Sequence, residues 1–268
     1  AKNKGAAGDA FEKLEQVLLS QSIKERIQVG VQRVNDLCEQ GEFTAAIDTS
    51  VEFSKVFPDS EIFYFLIGLS NFGLGSLDIA IENYTQALKI NPDFVEAHNN
   101  IGNVLRQKDE LQAAMKSYAR AIKINPNFAE AHHNIANILK ENGDLEGAIS
   151  SYKLALKIKP EYAEAHFNMG IIFQEQDDPH GAIKCYKKAL KTDPNNAEVR
   201  LNMGVALQET GDLDAALESI KRSIDINPRY ADAHYNLGTL LIDKNDPKAS
   251  LDSYRQTLKI DPDYTSAW

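Results

Sequence analysis

The chain has 268 residues, 43% hydrophobic and 25% charged, enough to bury one large core or two ordinary ones and too apolar for a disordered composition. Its formal charge of −10 argues against nucleic acid as a partner, because phosphate contacts need clustered Lys and Arg. Two cysteines, Cys38 and Cys185, cannot build a disulfide framework or a cysteine zinc site, and no apolar run reaches the ~20 residues that span a bilayer. These features predict a soluble, cytoplasmic protein; a leader removed ahead of Ala1 stays open.

In chain order, residues 1–26 come first, with Phe11, Leu14, Val17 and Leu18 at helical spacing. From Ile27 a period takes over. Seven prolines stand at 58, 92, 126, 160, 194, 228 and 262, each 34 residues after the last. The predicted repeats are 27–60, 61–94, 95–128, 129–162, 163–196, 197–230 and 231–264. Below, each repeat is numbered so that its proline is position 32.

Position 8 is Gly68, Gly102, Ala136, Gly170, Gly204 and Gly238, and position 20 is Ala80, Ala114, Ala148, Ala182, Ala216 and Ser250. Position 24 is Tyr84, Tyr118, Tyr152, Tyr186, Ile220 and Tyr254. Apolar residues at 4, 7, 8 and 11, then at 20, 24 and 27, have the spacing of two amphipathic helices. Breakers such as Asn142-Gly143-Asp144 divide them. Each repeat therefore predicts two helices joined by a tight turn. A glycine inside a helix costs up to ~1 kcal/mol against alanine, so position 8 implies a close helix approach.

The 34-residue step, the small residues at 8, 20 and 27, the aromatic at 24 and the closing proline resemble the tetratricopeptide repeat (TPR) family. The resemblance implies an all-α, right-handed superhelical solenoid of stacked helix pairs. The first repeat departs from the pattern, with Val34 at position 8 and Ser50 at position 24, and is expected to be a degenerate terminal repeat. Residues 1–26 are expected to supply a capping helix ahead of it. At the far end, Thr265-Ser266-Ala267-Trp268 begins an eighth repeat, with Trp268 at position 4. This predicts a fragment of a longer protein, with a C-terminal face open to self-association.

No nucleotide loop, Cys-x-x-Cys pair or His-Glu-x-x-His helix is present, so no enzyme, cofactor or metal is expected in this chain. His98, His132, His166 and His234 recur at position 4, but stacked helices ~8–10 Å apart cannot bring them to one metal. They are expected to pack between helices, and His133 and His180 to lie on the surface.

If 4, 7, 8 and 11 face the partner helix, positions 2, 6, 9 and 13 face the other way. In TPR proteins that side lines the concave groove. Position 6 reads Asn100, Asn134, Asn168, Asn202 and Asn236, although asparagine is a poor mid-helix residue. A carboxamide accepts one bond and donates two, so a row of them can grip a peptide backbone. The row resembles the asparagine ladder in the TPR array of O-GlcNAc transferase. Asn103 and Asn137 at position 9 extend it. Lysine or arginine at 2, 5 and 6, which the family's two-carboxylate clamp needs, is missing.

Position 2 is Glu96, Glu130, Glu164, Glu198 and Asp232 in the third to seventh repeats. Asp93-x-x-Glu96, Asn127-x-x-Glu130 and Asn195-x-x-Glu198 have capping-box spacing. Position 13 carries Glu141, Glu175, Glu209 and Asp243 near helix C-termini, where the dipole disfavours acids, so these are expected to attract basic groups on a ligand. The expected function is a protein–protein interaction module binding an extended peptide or partner protein in the concave groove. The alternative is the substrate-recognition arm of a larger enzyme, a glycosyltransferase, sulfotransferase or oxygenase, with its catalytic domain beyond Trp268.

Overall fold

The structure is a computed structural model that describes the backbone of residues 2–267 and the side chains from residue 21 onward. Trp268 and the side chains of Phe11, Leu14, Val17 and Leu18 lie outside the described residues. Among the described residues the structure is all-α, and it divides into two compact units, residues 1–126 and 127–268.

Unit 1 holds α1 (Lys2–Glu39), α2 (Phe43–Val56), α3 (Glu61–Gly73), α4 (Leu77–Ile90), α5 (Val95–Gln107) and α6 (Leu111–Ile124). Helix α1 has no break where residue 27 was expected to open the first repeat, since Ser22 to Arg26 include neither glycine nor proline. Its C-terminal half packs on α2, where Val34, Ala46, Phe63 and Leu66 form the core. Phe53 and Phe57 stack on Phe63 with centroids 5.2 and 6.2 Å away.

Unit 2 holds α7 (Ala129–Glu141), α8 (Leu145–Ile158), α9 (Ala163–Glu175), α10 (Pro179–Thr192), α11 (Ala197–Glu209), α12 (Leu213–Ile226), α13 (Ala231–Asp243) and α14 (Pro247–Ile260), then a 3-10 turn at Thr265–Ala267. Within each unit, each odd-numbered helix packs most extensively on the even helix that follows, and each pair packs on the next: the helix-pair solenoid expected from the period. Pro179 and Pro247 open α10 and α14, where a missing N–H costs nothing.

One turn chemistry closes the pairs. Position 15 lies in the left-handed region, at φ +80° for Gly143 and +81° for Gly211, and a polar side chain adopts it at Asp177 (+56°) and Asn245 (+58°). The next amide bonds back to the first helix, as in Asp144 N–H to the Leu139 carbonyl (2.9 Å) and Asp178 to Phe173 (2.8 Å), a Schellman closure. The same aspartates then cap the second helix: Asp144 and Asp178 accept from the Gly147 and Gly181 amides at 3.0 and 2.9 Å. A single residue ends one helix and starts another, which fixes the angle within the pair.

The capping boxes expected at the first helices do not form. Their N-caps fall one residue later, at Phe94, Phe128 and Asn196. Only Asn196 of these uses its side chain, accepting from the Val199 amide at 3.0 Å. The aromatic is better spent on packing: Phe94 lies 4.9 Å from Phe65 in unit 1, as Tyr162 lies 4.8 Å from His133 in unit 2.

Candidate functional site

The tyrosines at position 24 are the pivots of the pairs. Tyr84, Tyr118, Tyr152 and Tyr186 are fully buried, each against the small residue at position 8. A buried phenol needs a partner for its hydroxyl. Tyr118 and Tyr152 donate to the carboxamide oxygens of Asn103 and Asn137, at 2.9 and 2.5 Å. Position 9 is thus asparagine beside these two tyrosines, and Val205 where position 24 is Ile220. In the fifth repeat Ile171 occupies position 9, and Tyr186 donates instead to Gln174 at 2.6 Å. Asn103 and Asn137, expected to serve the groove, therefore have an internal task.

In the second repeat position 9 is Leu69, and the buried Tyr84 hydroxyl has no hydrogen-bond partner. Burial pushes its pKa up, and the nearby Asn100 side chain only partly opposes this. Tyr84→Phe should therefore be neutral or stabilising, whereas Tyr186→Phe should cost about 1 kcal/mol by stranding Gln174. Urea unfolding of the two variants measures this, and equal losses would contradict it.

Histidine at position 4 joins successive repeats. His98, His166 and His234 donate from Nε2 to the carbonyls of Pro92, Pro160 and Pro228 at 2.9–3.1 Å. Arg200 does the same to Pro194 at 2.9 Å. A residue before or at proline leaves its carbonyl without a helical partner, and position 4 supplies one. Burial lowers the His166 pKa, so this ring is neutral at pH 7. Among the described residues no group of three His, Cys, Asp or Glu could hold a metal. His180 is exposed, but His133 is buried, its ring 5.6 Å from Tyr152 and 4.8 Å from Tyr162. Position 5 carries Phe65, His133, Phe167 and Tyr235, an aromatic slot between positions 24 and 34 that a window of one helix does not reveal.

The position-6 asparagines are all half-buried, Asn100 in unit 1 and Asn134, Asn168, Asn202 and Asn236 in unit 2. Their bonding differs. Asn100 accepts from Asn103 at 3.4 Å. Asn168 donates to Asn137 at 3.2 Å, contacts His133 Nε2 at 3.3 Å and accepts from Lys140 at 3.5 Å. The corresponding neighbour of Asn202 is Ile171, which offers nothing, and among the described residues the Asn202 carboxamide has no hydrogen-bond partner. Beside Asn236 the neighbour is Val205, and Asn236 turns back to its own helix at the Asp232 carbonyl, 2.8 Å. Asn168 is braced by the polar Asn137 of the preceding repeat, a brace that Ile171 and Val205 do not offer to Asn202 and Asn236.

Position 13 is likewise divided. Gln174 donates to Glu209 at 3.3 Å, and Gln208 to Asp243 at 2.6 Å, each from position 12 of the preceding repeat. These amides offset the unfavourable dipole at the helix ends. Glu141 and Glu175 are exposed, and among the described residues Glu175 makes no hydrogen bond or ion pair.

This is a scaffold of stacked helix pairs whose polar rows lie on the first helix of each pair, the construction of a repeat protein for protein–protein interaction. TPR repeat models match residues 68–108, 102–143, 136–177 and 209–244, and tetratricopeptide repeat models match 163–196, 185–218 and 231–264. The chain belongs to the tetratricopeptide repeat family, whose fold is typically a non-catalytic interaction scaffold. Its fold is similar to that of YrrB, a TPR protein with an unusual peptide-binding site (24% identity, TM-score 0.61, covering 70% of this chain and 96% of that one). It is also similar to pilF of Pseudomonas aeruginosa (20% identity, TM-score 0.70, covering 78% and 96%). The Cut9–Hcn1 hetero-tetramer of APC/C contains another similar chain (16% identity, TM-score 0.70, covering 87% of this chain and 46% of that one). No curated protein matches the sequence. Among the described residues no helix is long and apolar enough to cross a membrane.

Proposed function

We propose that unit 2 binds an extended peptide segment along the first helices α7, α9, α11 and α13, with Asn134, Asn168, Asn202 and Asn236 gripping its backbone, and that Asn100 does so in unit 1. One observation carries the reading. Position 6 remains asparagine at Asn202 and Asn236, where the brace that holds Asn168 is missing. There the side chain costs helix propensity and returns no cross-helix bond. An extended peptide rises ~3.3 Å per residue and stacked helices repeat every ~10 Å, so one carboxamide meets about every third peptide unit. Glu141 and Glu175 flank the row and favour basic side chains on the ligand. Glu209 and Asp243, already accepting from glutamines, retain their charge and add to the same field.

The test is selection of displayed unstructured peptides against the whole chain. Enriched peptides should be rich in Lys and Arg and should perturb the side-chain amide NMR signals of Asn202 and Asn236. Failure to enrich any peptide, or perturbation confined to the second helices of the pairs, would overturn the proposal.

A further inference from the structure

We propose a second binding site in unit 2, on the side of the helix pairs away from the asparagines: a dock for an acidic peptide segment that inserts one bulky apolar side chain. A cavity of about 490 Å³ opens between α8, α9 and α10. That is the size of a ligand pocket, ~300–1,000 Å³. Its floor is apolar, formed by Leu156, Met169 and Phe173. Its walls are not. Lys153 and Lys157 stand one turn apart on α8, and Lys184 and Lys188 one turn apart on α10. Among the described residues none of the four has an ion-pair or hydrogen-bond partner, although the chain carries a net charge of −10.

The acids nearby are engaged elsewhere. The Asp178 carboxylate is turned to the Gly181 amide, and Glu161 lies 4.0 Å from Lys191. Burial pushes the Cys185 thiol up and the His166 ring down, so neither adds charge at pH 7 and the field comes from the lysines.

The repeat makes the recess, and the local sequence makes it a site. One repeat further, between α10, α11 and α12, a cavity of about 620 Å³ has the same origin. Its rim mixes Lys221 and Arg222 with Glu218 and Asp225, and Arg200 lies in it, spent on the Pro194 carbonyl. Of these two, the first cavity sets one sign of charge around an apolar floor.

That pattern selects the ligand. Two cations on each wall suit an apolar group with carboxylates on both sides of it. A long-chain carboxylate brings a single charge to one end. Lysines are point charges on flexible stems, matched to scattered Asp and Glu side chains rather than to a planar bidentate anion.

The probe is a fluorescein-labelled heptapeptide with a central phenylalanine and three aspartates on either side, titrated by anisotropy against the whole chain. Saturable binding that weakens with salt is expected. The double variant Lys157→Glu with Lys188→Glu should lose about tenfold or more in affinity at an unchanged melting temperature, because all four lysines are exposed. A glycine-centred peptide should lose a similar factor through the empty floor. Absence of saturable binding, or equal binding in either comparison, would overturn the site. Displacement by decanoate at a comparable concentration would assign the cavity to a lipid-like carboxylate, against the proposal. Asn202→Ala should leave the affinity unchanged. A loss there would mean the probe sits in the asparagine row, whereas failure of that row with other peptides leaves this site standing.

Discussion

Replacing Gly170 by leucine is expected to destabilise the chain by about 3 kcal/mol and to melt the α9–α10 pair ahead of its neighbours. A Cβ at Gly170 would overlap the Tyr186 ring at Cε1. The ring has little freedom to move. It is fully buried, its centroid lies 6.0 Å from that of Phe167, and its hydroxyl is tied to Gln174. One methyl is tolerable, as the fourth repeat demonstrates: Ala136 occupies the same position, and Tyr152 still reaches Asn137 at 2.5 Å. Gly170→Ala should therefore cost little, because ~1 kcal/mol of helix propensity offsets the crowding. Leucine adds three carbons beyond that methyl, with no space for them. Repeats interact chiefly with their neighbours, so the damage should be local. Hydrogen exchange should lose protection in α9 and α10 while α13 and α14 keep theirs. A leucine variant that melted like the parent would refute the close approach of glycine and tyrosine.

The pairing of helices was legible because it depends on short-range patterns: proline every 34 residues, small residues at 8 and 20, and glycine in the turns. Each acts within one repeat. What escaped notice acts between repeats or across a pair. Tyr152 and Asn137 are fifteen residues apart, and Gln208 and Asp243 thirty-five, distances at which no helical period relates them. A partial signal did exist. Position 9 is asparagine beside Tyr118 and Tyr152 and valine beside Ile220, but Leu69, Ile171 and Thr239 beside Tyr84, Tyr186 and Tyr254 break the correlation. His133 was misplaced for the same reason, since its burial comes from Tyr152 and Tyr162 on other elements. The capping boxes failed by one residue: position 34, not position 33, is the N-cap, and at Phe94 its ring is committed to packing while at Asn196 its side chain caps. The lysine-rimmed cavity was invisible from sequence because its walls come from two different repeats.

The asparagine row now separates into two kinds of residue, and this sets the second large effect. Asn168→Ala removes bonds to Asn137, His133 and Lys140, at a cost of about 1–3 kcal/mol, less several tenths returned by the better helix former. Asn202→Ala removes none, so its stability should rise by roughly several tenths of a kcal/mol. Binding should respond the other way round. A carboxamide free of internal partners has its whole hydrogen-bonding capacity for the ligand, and its loss strands a peptide group at ~1–3 kcal/mol, a drop in affinity of about 5- to 150-fold. Asn202→Ala should therefore bind a selected peptide markedly less well while melting slightly higher. Asn168→Ala should lose stability, and its loss of affinity should exceed the unfolded fraction only if its carboxamide turns from the wall to the ligand. Melting and titration on the same two proteins measure both quantities. An Asn202→Ala protein with parental affinity would reduce the row to the inner wall of the stack.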